Sequence, residues 1–304
     1  MTATNTAPVT RPTLDNWLSL IALGVIWGGT FMVVSIALRG YGPVTVAAAR
    51  TALGAVALVA LAWATGRPFP KLDRLLVLFL IGLGLLNAAL PFLFLAWGQQ
   101  HVPSAFAGLS MAVLPLFLLP LAHIFVPGDT LTPRKTAGFA LGLIGALVLL
   151  GPGIFAAAEG DLVALGRLAC IGATLSYAIS SVMTRRCPPM DATWLSAAIL
   201  VVASLALVPA MLLTEGVPGT ASPGVMTAIV ALGLIPTALA GLLRVRIIRT
   251  AGPGFMTLVN YQVPVWSMIF GATLLGEELP GRFFLALALI ATGLFVSQSA
   301  RRSP

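Results

Sequence analysis

Apolar stretches of about twenty residues recur along nearly the whole chain, and each is long enough to cross the roughly 30 Å hydrocarbon core of a bilayer as a helix. Ten are read, at residues 17–38, 43–65, 74–97, 104–126, 134–151, 162–184, 192–213, 223–246, 253–275 and 280–298. The connections are short and carry helix-ending residues, as in Gly40-Tyr41-Gly42-Pro43, Gly66-Arg67-Pro68, Gly151-Pro152-Gly153 and Gly252-Pro253-Gly254. None has room for a soluble domain, so any function must lie inside the helix bundle. Hydrophobic residues make up 59% of the chain and charged residues only 9%, against roughly 25% charged in soluble domains. That balance excludes a soluble enzyme, a disordered chain and a disulfide-rich secreted domain. The expected fold is an all-α polytopic membrane protein, with a polar tail over residues 1–16 and a short one over 299–304. The first apolar run exceeds a signal-peptide core and is expected to be retained.

The net charge of +8 does not point to nucleic acid, because the basic residues sit in ones and twos between apolar runs. They are instead unevenly divided between the two sides of the proposed spans. With a cytoplasmic amino terminus, the inner side holds Arg11, Arg67, Lys71, Arg74, Arg134, Lys135, Arg185, Arg186, Arg244, Arg246, Arg249, Arg301 and Arg302. The outer side holds Arg39, Arg167 and Arg282, and Arg50 lies within a span. The excess predicts both termini in the cytoplasm and an even number of spans. The short loops suit a bacterial inner membrane. Cys170 and Cys187 have no paired spacing, and with two histidines the chain offers no metal framework and implies no cofactor.

The chain also matches itself at an offset of about 149 residues. Leu83-Gly84-Leu85 falls on Leu232-Gly233-Leu234, and Phe106, Leu109 and Pro115 fall on Phe255, Leu258 and Pro264. Trp27 lands near Tyr177, and Gly145 falls on Gly293 one residue out of register. Two repeats follow, 17–151 and 162–298, each with five spans. Five is odd, so the repeats enter the membrane in opposite directions. Inverted repeats of this kind are a transporter architecture with the substrate site near mid-depth between the halves.

Several segments carry a resemblance to a known family. They are Trp27-Gly28-Gly29-Thr30-Phe31, Ala49-Arg50, Ser104-Ala105-Phe106-Ala107 through Pro115, Pro264 through Gly276-Glu277, and Gly281 to Gly293. In order and spacing the chain resembles the EamA-type drug/metabolite transporters over nearly its whole length. The resemblance implies two five-helix repeats with cytoplasmic termini. It also implies export of small metabolites, often amino acids, through a cavity lined by spans 1, 3, 4, 6, 8 and 9.

Arg50 is the one charge well inside a span, about seven residues past its outer end and so roughly 10 Å deep. A buried arginine needs a partner, a cavity or a route to the interface. It can hold a substrate carboxylate bidentately, or serve as a structural arginine on helix-end carbonyls. The acids Asp15, Asp73, Asp129, Glu159, Asp161, Asp191, Glu215, Glu277 and Glu278 all fall at span ends or in loops. A proton-coupled exporter of cations needs a carboxylate inside the membrane, so the pattern favours a facilitator. His101 and His123, near span ends, remain as possible proton carriers.

The remaining candidates for the cavity wall are Trp27, Asn87, Tyr177, Asn260, Tyr261 and Trp266, with lipid-facing or helix-packing roles as the alternative. Pro115 and Pro264 are mates in spans 4 and 9, where a missing N–H can make a hinge or a static kink. Gly24-x-x-x-Gly28 and Gly138-x-x-x-Gly142 allow close helix approach, within a monomer or across a weak dimer. The expected partners are a small-molecule substrate and the lipid bilayer. The competing functions are a proton-coupled exporter of drugs or organic cations, a membrane enzyme, and a non-transporting scaffold. The sequence shows no acid/base or metal constellation for the enzyme and no output domain for the scaffold.

Overall fold

The computed structural model describes residues 12–125, 132–151, 162–256 and 258–298. The end segments 1–11 and 299–304 lie outside the described residues, as do the acids Asp129, Glu159 and Asp161 and the Pro152-Gly153 turn. Among the described residues the fold is helical throughout. The helices are α1 (Leu14–Ala37), α2 (Pro43–Ala64), α3 (Arg74–Gly98), α4 (Ser104–Phe125), α5 (Pro133–Leu150), α6 (Leu162–Arg186) and α7 (Ala192–Thr214). Next come α8, built from Pro223–Leu232, Gly233–Leu239 and Ala240–Met256, then α9 (Val259–Leu274) and α10 (Gly281–Gln298).

Seven of these are long and apolar enough to cross a membrane: α1 to α4, α6, α7, and α8 over Pro223–Arg244. Shorter apolar stretches cover Thr136–Leu150 and Gly281–Val296. Large apolar side chains such as Val56, Leu205, Leu213 and Phe295 face outward, a surface suited to lipid rather than water.

Local chemistry sets the helix ends. Helix α1 starts one turn before Trp17 because the Thr13 hydroxyl accepts the Asn16 N–H at 3.3 Å. Asp73 caps α3 and Asp191 caps α7 in the same way. Gly66 and Gly216, one repeat apart, end α2 and α7 with φ of +61° and +78°, a conformation that costs a side-chain-bearing residue energy. One expected boundary moves. The backbone stays helical through Gly252-Pro253-Gly254, so α8 ends at Met256 and α9 begins only at Val259. Glycine and proline lower helix propensity without forbidding a helix that packing supports.

The packing is itself repeated. Helix α2 lies along α7 and α5 along α10, while α1 packs on α9 and α8, as α6 packs on α4 and α3. The seams use glycine where backbones meet. A Cβ on Gly28 would run into the Trp266 Cβ and come within 3.0 Å of the Val263 carbonyl, and Gly24 faces the Gln262 side chain. On α10, Gly293 sits against the backbone of Gly138 and Gly142. Both small-residue motifs therefore serve packing inside the chain.

Candidate functional site

Two wide turns interrupt the middle of the bundle. Helix α3 opens into a π turn over Leu85–Ala89 and α8 does so over Gly233–Leu239. A proline accompanies each, Pro91 just after the first and Pro236 within the second. Neither can donate to the carbonyl four residues back, so the ladder widens. The glycines at their starts make equivalent contacts. Gly84 abuts Val202 and the Ile199 carbonyl on α7, and Gly233 abuts Leu53 and the Arg50 carbonyl on α2. Ile199 and Val202 are Arg50 and Leu53 moved on by one repeat length, so Arg50 occupies a position where the other half carries isoleucine.

Arg50 is 7% exposed. Its Nε donates to the Thr237 hydroxyl at 3.0 Å, and its guanidinium carbon lies 3.8 Å from the Phe92 ring centre. The Tyr177 phenol is within electrostatic reach. Among the described residues no carboxylate pairs with Arg50. Asn87, in the α3 wide turn, donates from Nδ2 to the Ser180 hydroxyl at 3.1 Å, and that hydroxyl donates to the Tyr177 carbonyl at 3.0 Å. Trp27 donates from its indole to the Pro236 carbonyl at 3.3 Å. Four of the candidates, Trp27, Arg50, Asn87 and Tyr177, therefore meet around the two wide turns.

The α9 candidates are arranged differently. Trp266 packs against Gly28 beside Trp27 and stacks on Phe270 at 5.7 Å. Asn260 and Tyr261 lie in the first turn of α9, and no hydrogen bond or ring contact joins them to the Arg50 group among the described residues. The late start of α9 puts them there. The two symmetric prolines also differ. The turn before Pro115 tightens to a 3₁₀ segment over Met111–Val113, whereas Pro264 sits inside a continuous helix, where its carbonyl accepts the Ser267 hydroxyl at 2.8 Å.

The two ends of the bundle contrast. At one end, the Glu215 carboxylate beyond α7 accepts the Val44 and Thr45 N–H groups of α2 at 3.0 and 2.9 Å. Glu277, beyond α9, accepts the Ser104 and Ala105 N–H groups of α4 at 2.7 and 3.0 Å. Each is a second-half carboxylate on the positive end of a first-half helix. At the other end a cavity of about 320 Å³ opens between α2, α7 and α8, with Leu58, Ser196 and Gly241 on its walls and Arg67 and Arg246 at its rim. Arg67 pairs with Asp191 at 3.3 Å and Arg246 with Asp15 at 2.9 Å. Gly241 is one helical turn, about 6 Å, from Thr237. Partial burial raises the pKa of Asp191. The N–H groups of Trp194 and Thr193, with Arg67, outweigh that effect and hold it below the usual carboxylate range.

Sequence reasoning missed Thr237, Phe92 and the capping roles of Glu215 and Glu277. Thr237 had a signal, since it follows Pro236 just after the repeated Leu232-Gly233-Leu234 segment. Phe92 had none that separated it from the other apolar residues of α3.

Residues 16–151 and 164–298 each match the EamA-like transporter family. The chain belongs to that family. The inner membrane transporter YedA of Escherichia coli (strain K12) is 33% identical over 46% of this EamA-like chain and 44% of its own. A probable terminal-alkyne amino-acid exporter of Streptantibioticus cattleyicolor is 31% identical over 43% of each. The matched segment thus spans less than half the length of these two relatives. A probable amino-acid metabolite efflux pump of Escherichia coli (strain K12) is 29% identical over 93% of this chain and 94% of its own. A crystal structure 24% identical in sequence covers 93% of this chain and 97% of its own with a TM-score of 0.67, which shows the shared fold.

Proposed function

We propose that this EamA-like chain exports small zwitterionic metabolites, amino acids foremost, across the inner membrane by alternating access between its two repeats. The observation that carries the reading is Arg50. It is a buried cation at mid-span, held by a hydroxyl and a ring rather than by a carboxylate, and so available to a substrate carboxylate. Two relatives whose names specify amino-acid substrates support the same class. In this reading ten spans cross the membrane, both termini are cytoplasmic, and the protein works as a monomer or weak dimer. The rim arginines then mark the cytoplasmic mouth, and the Glu215 and Glu277 caps seal the outer end. Pro115 and Pro264 are the hinges of the exchange. Trp27 and Trp266 supply apolar wall, and Asn87, Tyr177, Asn260 and Tyr261 supply polar wall. The described acids all lie at helix ends, which supports transport down the substrate's own gradient.

The test is flux of a labelled amino-acid panel in proteoliposomes without a pH or voltage gradient, with Arg50→Ala beside the wild type. Saturable wild-type flux, lost in a folded Arg50→Ala variant, supports the proposal. No flux for any member, with or without an imposed proton gradient, overturns the amino-acid assignment and returns organic cations as the reading to test.

A further inference from the structure

We infer that Pro236 and Thr237, in the wide turn of α8, are positioning residues that set Arg50 as an end-on receptor for a substrate carboxylate. The inference rests on the function proposed above and names the groups that make its site selective. Pro236 has no N–H to give to the Leu232 carbonyl. That carbonyl accepts the Thr237 hydroxyl instead, at 2.8 Å. A hydroxyl has one proton and two lone pairs. With the proton committed to Leu232, the Thr237 oxygen can only accept from Arg50, and it takes Nε at 3.0 Å.

Phe92 then covers one face of the guanidinium at 3.8 Å. Nε and one face are thus occupied. The two terminal nitrogens, Nη1 and Nη2, make no hydrogen bond among the described residues. Their parallel N–H pair matches the two oxygens of a carboxylate. The same turn also takes the Trp27 indole on the Pro236 carbonyl at 3.3 Å, so an aromatic side chain is fixed on the residue next to the one that holds Arg50. The site therefore selects a free carboxylate attached to an apolar or aromatic body. It discriminates against the corresponding amide, which lacks the second anionic oxygen.

The experiment uses the full chain in proteoliposomes. The probes are the amino acid of the panel carried with the lowest half-saturation concentration and its primary amide as a competitor. Thr237→Val, nearly the same shape without the hydroxyl, is expected to raise the half-saturation concentration about tenfold, or about 1.4 kcal/mol. Maximal flux should stay within about twofold, because ground-state binding is what is lost. Thr237→Ser restores the hydroxyl and should return the value to near wild type. Inhibition by the amide, which does not read the Nη pair, should be the same in all variants.

Pro236→Ala returns the missing N–H and lets the turn close. It should weaken the acid and not the amide, and it provides a second reading if Thr237→Val does not fold. An unchanged half-saturation concentration in folded Thr237→Val, or in Pro236→Ala if the valine variant does not fold, overturns the inference. So does equal weakening of acid and amide, or failure of serine to rescue. A wild type that carries no panel member overturns the proposed function itself, an outcome distinct from all of these.

Discussion

On the proposed alternating-access reading, replacing Glu277 should open the end of the bundle where its carboxylate caps α4. The side chain reaches from beyond α9 to the first two N–H groups of α4, at 2.7 and 3.0 Å, and Ser104 there is 1% exposed. Alanine removes a helix cap and a charge at the positive end of a helix. Together these contribute about 1–2 kcal/mol in a partly buried setting. If the cap holds only in the closed state, the open population rises by roughly five- to thirty-fold. Glutamine keeps an acceptor but loses the charge, and charge-assisted bonds are about twice as strong as neutral ones. The expected order of opening is thus alanine, then glutamine, then wild type. The assay is a distance distribution between spin labels at Gln100 and Leu274, both exposed and on opposite sides of the contact, in a chain with Cys170 and Cys187 replaced. A longer distance that grows in that order is predicted. Identical distributions for wild type and a folded Glu277→Ala would refute the assignment of this contact as a gate.

Three further outcomes follow from the same geometry. Arg50→Lys keeps the charge but loses both the Thr237 bond through Nε and the forked donor pair, so half-saturation for carboxylate substrates should rise about tenfold in flux assays. Gly28→Ala places a methyl group against Trp266 and the Val263 carbonyl, and overpacking of this kind costs about 1–3 kcal/mol; thermal unfolding in detergent should show the loss. Asp191 has a pKa held below its ordinary value of 3.8. Its contribution to stability is therefore full above that value and disappears as pH falls through the lower folded one. The difference in Tm between wild type and Asp191→Asn should vanish over that acid range, and a difference that persists below it would contradict the assigned partners.

Much of this protein can be read from its residues in order. Helix class follows from runs of about twenty apolar residues, because a bilayer leaves unpaired backbone groups no other partner. The repeat follows from Leu83-Gly84-Leu85 and Leu232-Gly233-Leu234, and Arg50 stands out because a buried charge is costly wherever the chain folds. Other features depend on residues far apart in the chain. Thr237 becomes a partner of Arg50 only when α8 crosses α2, and Phe92 only when α3 lies beside α2. Glu215 and Glu277 look like ordinary loop acids until their helices return to the starts of α2 and α4. Asn260 and Tyr261 fall in the first turn of α9 because α8 continues past the glycines expected to end it, a choice made by packing rather than propensity. Periodicity and hydropathy are local quantities that the sequence alone determines. Which polar groups share a buried space depends on helix crossings, and only the tertiary structure decides those.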